Sequence, residues 1–345
     1  MSLVNAHNEW DPLEEVIVGV ADGARVPTGD KGLHAIRFPE VEGAEEIPSG
    51  PYPPDIVRRA GEELEELVDA LEGLGVKVRR PKVTDHAAPF ATPDWASDGM
   101  YNYCPRDVLL AVGDSIIETP MSLRSRFLET FAYKDILIDY LRSGARWVSA
   151  PKPALRDDGY NVDDVEALAL RDVEPVFDAA NVLRVGVDII YLVSDTGNRL
   201  GARWLQNYLG DTYRVHACDD LYARTHIDTT IVLVRPGLVL LNPERVGDHN
   251  LPACLARWDK LYSPEMVDIG FEGMAYGSAW VGMNLLMVSP GLAVVDRRQV
   301  ELCRLLESRG VDVMPLQLTH ARTLGGGFHC VTLDTRRKGG LEDYS

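Results

Sequence analysis

Residues 182–193 read VLRVGVDIIYLV, two apolar runs on either side of the turn formed by Gly186 to Asp188. Short apolar runs that flank a glycine-containing turn are typical of a β-hairpin. The same pattern recurs along the chain and predicts the same local structure each time. The further predicted hairpins span residues 108–118, 230–241 and 281–295.

A stretch with helical periodicity follows each predicted hairpin, and another apolar run follows the helix. The helices are predicted over residues 127–141, 199–209, 251–258 and 297–307. The returning strands are predicted at residues 146–149, 213–217, 266–269 and 311–316. Near the N-terminus a strand at 15–19, a helix at 55–74 and a strand at 76–79 complete a further unit.

About five such units occur, and because none can bury its apolar face alone, we expect them to close into a ring. The predicted fold class is therefore α/β, a propeller-like single domain over residues 1–345. Residues 22–54 and 151–173 are predicted as surface insertions, and residues 336–345 as a polar tail. A doubly wound parallel sheet is the alternative. The hairpins count against it, as does the lack of a G-x-G-x-x-G turn between a strand and a helix.

The composition indicates a globular protein with an acidic surface. Hydrophobic residues make up 46% of the 345 residues, and 35 basic against 53 acidic residues give a formal net charge of -18. This field repels nucleic acid and attracts small cations. The five scattered cysteines lack zinc-ligand spacing and indicate reduced thiols in the cytoplasm. Neither an export signal nor an apolar stretch of membrane-spanning length is apparent, so no membrane partner is expected.

The candidate reactive residues recur at similar places relative to the hairpins. Cys330 follows three glycines and precedes an apolar run, while Asp107, Asp178 and His226 with Asp228 each stand just before a predicted hairpin. Each residue alone has a structural explanation, either a turn-forming aspartate or a buried histidine. If the hairpins are equivalent blades, however, all of these side chains meet at one end of the ring. Several carboxylates around one thiol suit a planar guanidinium as substrate.

The carboxylates also bear on how the thiol is activated. Negative charges raise the pKa of a neighbouring thiol, so ionisation of Cys330 requires a cation close by. The bound guanidinium and protonated His226 are the two candidates.

Four motifs resemble those of the arginine amidinotransferases. They are Cys104 to Asp107, Glu174 to Ala180, His226 to Asp228 and Leu324 to Cys330. The resemblance spans essentially the whole chain. It is stronger to the inosamine-phosphate amidinotransferases of streptomycin-type antibiotic pathways than to the glycine amidinotransferase of creatine synthesis.

The resemblance implies a five-bladed α/β propeller of the pentein type, built from ββαβ modules with pseudo-five-fold symmetry. It also implies an arginine amidinotransferase that needs neither a cofactor nor a metal. In that family Cys330 would be the nucleophile, His226 the general acid and base, and Asp178 the residue that orients His226 and binds the guanidinium. Asp107 and Asp228 would bind the guanidinium.

Further substrate-binding residues follow from the same resemblance. Arg245 would hold the carboxylate of the donor, and Ser278 is a further match. Thr225 stands where glycine-transferring members have methionine, and Gly277 stands where they have serine. Both departures fall on the acceptor side and argue against glycine as the acceptor.

The expected reaction has two half-reactions. Cys330 takes the amidino group of L-arginine and releases ornithine, and an amine acceptor then takes the group from the thiol in ping-pong order. An inosamine phosphate is the expected acceptor, while glycine, lysine and other amines stay open. Arg106, Arg124 and Arg126 are candidates for a phosphate contact, with structural ion pairs as the alternative.

Two other functions compete with amidino transfer. An arginine deiminase-like hydrolase would use the same residues but let water attack the adduct, and an arginine sensor would bind the ligand without turnover. The expected partners are therefore small molecules, and the sequence leaves a homodimer open.

Overall fold

The computed structural model describes residues 2–164 and 166–345. Within those ranges the strands form five three-stranded sheets and two small two-stranded ones. Each three-stranded sheet has the same topology, because the middle strand pairs antiparallel with one neighbour and parallel with the other. We call these sheets blades one to five.

The blades follow one another along the chain, except that the last strand returns to the first blade. Blade one contains Leu13–Val18, Lys77–Arg79 and Thr332–Arg337. Blade two contains Leu109–Val112, Ser115–Glu118 and Arg146–Ser149. Blade three contains Val182–Val185, Asp188–Leu192 and Arg214–Cys218. Blade four contains Ile231–Arg235, Leu238–Leu241 and Asp259–Tyr262. Blade five contains Leu286–Ser289, Leu292–Asp296 and Asp312–Leu316.

A helix connects the middle strand to the parallel strand in four of the five blades, within the part of the chain that the structure describes. These helices are Pro54–Gly73, Lys134–Arg142, Arg199–Leu209 and Val300–Ser308. Shorter helices are Lys31–Arg37, Pro105–Val108 and Ala321–Leu324. The helix of blade one starts with proline, whose fixed φ suits a first turn, and the side chain of Asn198 caps the helix of blade three. No helix among the described residues is both long and apolar enough to cross a bilayer.

Most of the predicted elements are confirmed, and the hairpins of blades two to four agree to within one residue at each end. The hairpin of blade five begins at Leu286 rather than at residue 281, since residues 279–283 form a 3-10 turn. The helices of blades two and five begin at Lys134 and Val300, later than predicted.

Blade four differs most from the prediction. The predicted helix at 251–258 is only the 3-10 turn Ala253–Leu255, and the returning strand is Asp259–Tyr262 instead of residues 266–269. The apolar residues at 266–269 suggested a strand, but the backbone of Val267 bonds to a side chain. Its N–H donates to Oε1 of Gln299 and its carbonyl accepts from Nε2, both at 2.9 Å.

The three segments predicted at the surface are less exposed than expected. In residues 22–54, the helix Lys31–Arg37 buries its apolar face, and Tyr52 donates to the carbonyl of Thr323 at 3.2 Å. Tyr160, in residues 151–173, is buried as well. In the C-terminal tail the ring of Tyr344 packs against Trp10 with centroids 5.0 Å apart.

A buried ion cluster joins the blades near the ring closure. The carboxylate of Asp334 accepts hydrogen bonds from Arg106, Arg184 and Arg337, and Glu9 pairs with Arg184 at 2.7 Å. Each of these side chains is at most 5% exposed. Because they come from the N-terminus, from blades two and three and from the last strand, the cluster holds the closed ring together.

We predict that Asp334→Asn lowers the free energy of unfolding by about 3 to 5 kcal/mol, because it leaves buried guanidinium groups without their shared counter-charge. Urea denaturation followed by circular dichroism measures the effect. Asp312→Asn, at an exposed strand end, is the matched control and should change stability by less than about 0.5 kcal/mol. Equal stability of the two variants would contradict the prediction.

Candidate active site

The predicted reactive residues meet at the centre of the ring. Asp107 lies in the short helix before blade two, and Asp178 lies at the turn before blade three. His226 and Asp228 precede blade four, and Cys330 precedes the closing strand of blade one. Equivalent positions of the repeat therefore converge, as the hairpin pattern predicted.

The distances among these residues are short. One polar atom from each of Asp107, His226 and Cys330 lies within 4.8 Å of the others. Nε2 of His226 lies 3.0 Å from Oδ2 of Asp178, and Nδ1 lies 3.7 Å from Oδ1 of Asp107. The Cys330 thiol donates to Oδ2 of Asp228 at 3.0 Å. All five side chains are buried.

Asn284 is a site residue that the sequence analysis missed. Its Nδ2 donates to Sγ of Cys330 at 3.1 Å, and its Oδ1 accepts from the backbone N–H of Cys330 at 3.0 Å. Asn284 follows the turn before blade five, the position that supplies a functional residue in the other blades. The repeat could have revealed it, but the predicted strand at 281–288 concealed the position.

His329 is the second residue that was missed. Its Nδ1 lies 3.1 Å from Oδ2 of Asp228, and its Nε2 lies 3.4 Å from Oε2 of Glu9. His329 therefore connects the carboxylate that contacts the thiol to the ion cluster that closes the ring.

The glycines before Cys330 allow the close packing of this segment. A Cβ on Gly326 would lie 2.5 Å from Sγ of Cys104 and 2.9 Å from Cβ of Cys330. A Cβ on Gly327 would lie 2.7 Å from Cβ of Asn284. No side chain fits in either place, so the backbone can approach Cys104 and Asn284 only as glycine.

The electrostatics keep His226 protonated. Burial lowers the pKa of His226, but the carboxylate of Asp107 and the hydrogen bonds to Asp178 and Cys330 outweigh it and raise the pKa to about 10. At neutral pH the imidazole is therefore a cation with a proton to donate.

The surroundings of Cys330 disfavour ionisation of its thiol. The contact with Cys104, burial and the negative charge of Asp228 raise the pKa of Cys330 well above its usual value, and His226 offsets this only in part. Burial also acts to raise the pKa of Asp228, but the hydrogen bond and charge of His329 outweigh burial and hold that pKa well below its usual range. Ionisation of Cys330 thus requires a further cation at the site.

Asp107 has a free oxygen that faces this site. Its Oδ2 accepts from Arg126, which also pairs with Glu129. Its Oδ1 is buried without a hydrogen-bond partner among the described residues. Because an unpaired buried acceptor is costly, this oxygen is suited to an N–H donor from a ligand.

The group Asp107, His226 and Cys330 also has the donor types that hold zinc in proteins. The sequence contains no metal-ligand spacing for these residues, and only the folded chain brings their atoms together. A protonated imidazole has no lone pair for a metal, however, and the pKa of His226 is raised to about 10. The set therefore suits a cationic guanidinium better than a metal ion at neutral pH.

The other predicted substrate-binding residues lie around the cavity that leads to Cys330. Ser278 lines this cavity together with Thr225, Thr229 and Tyr222. Arg245 contacts two of these lining residues, because its guanidinium stacks 3.6 Å from the ring centroid of Tyr222 and donates to Oγ1 of Thr229 at 2.9 Å.

The three arginines considered for a phosphate contact are engaged elsewhere. Arg106 belongs to the ion cluster, and Arg126 pairs with Asp107 and Glu129. Arg124 donates to the carbonyl of Leu155 and to Asp157. For these arginines the structural ion pair is the better description, since each pairs with a carboxylate.

Comparisons with known proteins place the chain in a family. No protein-family model matches it. The inosamine-phosphate amidinotransferase 1 of Streptomyces glaucescens is 60% identical over 346 residues, which cover 100% of this chain and 99% of that protein. The chain belongs to the amidinotransferase family. An L-arginine:L-lysine amidinotransferase of Pseudomonas savastanoi is 38% identical and covers 99% of this chain and 97% of its own length.

A solved amidinotransferase structure confirms the fold. The inosamine-phosphate amidinotransferase of Streptomyces griseus superposes with a TM-score of 0.98 at 60% identity, covering 100% of this chain and 99% of that chain. The predicted five-bladed α/β propeller is therefore confirmed. As a member of the amidinotransferase family the protein is a transferase, which favours transfer over the hydrolase and sensor alternatives.

Proposed function

We propose that this amidinotransferase moves the amidino group of L-arginine through Cys330 to an inosamine phosphate. The observation that carries the chemistry is the buried contact of one thiol, one protonated imidazole and three carboxylates. Support for the acceptor comes from the relatives at 60% identity, which are named for inosamine phosphate. The 38% identical relative is named for lysine instead.

In the first half-reaction the guanidinium of arginine enters between Asp107 and Asp228. Its N–H groups satisfy the free Oδ1 of Asp107, and its positive charge lowers the pKa of the Cys330 thiol. As the guanidinium enters, Cys330 ionises and its proton passes to solvent. Sγ then forms a bond to the guanidinium carbon, and His226 donates its proton to the δ-nitrogen as the carbon–nitrogen bond breaks. Ornithine is released and the amidino group stays on the thiol.

In the second half-reaction the acceptor amine attacks the same carbon. His226, now neutral, takes a proton from the amine, while the carbon–sulfur bond breaks and sulfur leaves as the thiolate, which regains a proton from solvent after the product has left. Asp178 holds His226 in place through the hydrogen bond to Nε2 and stabilises its charged form.

Every residue with a proposed role belongs to one chain, so the reaction does not require a homodimer. We place it in the cytoplasm, where the free Cys330 stays reduced.

Incubation with arginine alone tests the covalent step. We expect one ornithine per active site and a mass increase of one amidino group on the peptide that contains Cys330. Labelled arginine with scyllo-inosamine 4-phosphate, glycine and lysine in parallel then tests the acceptor, and we expect the label on the inosamine phosphate. Steady citrulline formation without an amine would instead identify a hydrolase, and label on glycine or lysine would replace the proposed acceptor.

A further inference from the structure

Arg37 lines the same cavity as Cys330 and His226, although it comes from the predicted surface insertion at residues 22–54. It is the last residue of the helix Lys31–Arg37. Among the described residues that line this cavity, Arg37 is the only lysine or arginine.

The guanidinium of Arg37 has unused hydrogen-bond donors. Of its five N–H groups, one donates to the carbonyl of Tyr276 at 3.2 Å. Its Nε is buried without a hydrogen-bond partner among the described residues, and its guanidinium carbon lies 5.8 Å from the ring centroid of Tyr276. No ion pair of Arg37 with a carboxylate occurs in the described ranges. Arg106, Arg124 and Arg126, by contrast, each pair with a carboxylate.

The helix that carries Arg37 is held firmly against the cavity. The side chain of Asp30 caps it by accepting from the N–H groups of Gly32 and Leu33. At its other end the ring of Phe38 packs edge-on against Tyr276, with centroids 5.4 Å apart. Arg37 is therefore positioned before any ligand arrives, and little side-chain entropy is lost on binding.

An unpaired guanidinium in a chain with a net charge of -18 is suited to an anion. The field of the whole protein repels a phosphate, so an anionic acceptor requires a local cation at the point where it enters. The guanidinium of an arginine can donate two parallel N–H groups to two oxygens of one phosphate. The carbonyl of Tyr276 accepts only one hydrogen bond from Arg37 and leaves such a pair of donors open.

We propose that Arg37 binds the phosphate of the acceptor and so determines its selection, an inference that rests on the function proposed above. The donor does not need Arg37, because the guanidinium of arginine is held by the carboxylates and its own carboxylate is expected at Arg245. Arg37 acts only in the second half-reaction, after ornithine has left.

The test compares Arg37→Gln with the wild-type enzyme in the two half-reactions separately. We expect KM for scyllo-inosamine 4-phosphate to rise about 10- to 100-fold, since a charge-assisted contact is lost. The ornithine burst with arginine alone should be unchanged, which also shows that the variant is folded. Transfer to scyllo-inosamine without phosphate should be unchanged as well. Arg37→Lys should recover part of the loss, and Arg59→Gln, at an exposed helix position, is the matched charge control.

Four other results would overturn the inference, each for a different reason. A slower burst or a higher arginine requirement in Arg37→Gln would assign Arg37 to the donor. Equal losses with the phosphorylated and unphosphorylated amine would make its role structural. An unchanged KM would remove it from the site. If the wild-type enzyme forms the adduct but does not transfer to the phosphorylated amine, the proposed acceptor itself fails.

Discussion

Cys330→Ala is expected to abolish amidino transfer, with kcat lowered by about 10⁴-fold or more. The thiol is the proposed nucleophile, it is buried in contact with Asp228 and Asn284, and alanine removes only the sulfur. Arginine should still bind, because the carboxylates that hold the guanidinium are unchanged. Ornithine release and intact-protein mass after incubation with arginine measure the two consequences.

The matched control is Cys303→Ala, a half-buried thiol in the helix Val300–Ser308, which should retain full activity and the mass increase. A mass increase that persists in Cys330→Ala would contradict the assignment. Peptide mapping would then show whether the amidino group is on Cys104. The Sγ of Cys104 lies beside the backbone of Gly326, close to Cys330.

His226→Asn is expected to slow ornithine release by about 10²- to 10⁴-fold, because the δ-nitrogen would leave without a proton. Asparagine is chosen because His226 has a φ of 58°, in the left-handed region that asparagine tolerates well. The loss of the imidazolium also removes a hydrogen bond that lowers the pKa of Cys330 in the free enzyme. Rapid-quench measurement of the first half-reaction reports the effect, and His249→Asn at the surface is the control.

The pH dependence follows from the raised pKa of His226. The acid is active in its protonated form, which persists below the folded-state pKa of about 10 and is lost as pH rises through it. Ornithine release should therefore not decline across neutral pH and should fall near pH 10. The same sign applies to stability: the charged pairing contributes fully below the reference pKa of 6.5 and is lost as pH rises through about 10.

Asp178→Asn should move the alkaline fall to lower pH, because one of the carboxylates that hold the proton is gone. A purely structural role for Asp178 would lower the rate without moving the profile. An alkaline fall that stays in place in Asp178→Asn, or one near pH 6.5 in the wild type, would contradict the assignment of His226 as the acid.

The blades show which elements of the fold could be predicted from the sequence and which could not. Hairpins and their order depend on neighbouring residues, so alternation and turn residues predicted the strands of blades two and three closely. The returning strand of blade four was predicted wrongly because residues 266–269 have the apolar pattern of a strand, but a distant side chain, Gln299, provides the hydrogen bonds of Val267. That contact joins residues 32 positions apart and leaves no local signal.

The site also has one part that the sequence predicted and one part that only the fold decided. Because equivalent positions of a repeat converge when the ring closes, the sequence alone determined that Asp107, Asp178, His226, Asp228 and Cys330 belong together. Which arginine is free was decided only by the tertiary structure. Arg106, Arg124 and Arg126 were candidates with structural ion pairs as the alternative, and each meets a carboxylate in the fold, while Arg37 reaches the cavity from a segment predicted to lie outside. A charge is paired or unpaired according to what lies within a few ångströms of it, and that distance exists only once the chain has folded.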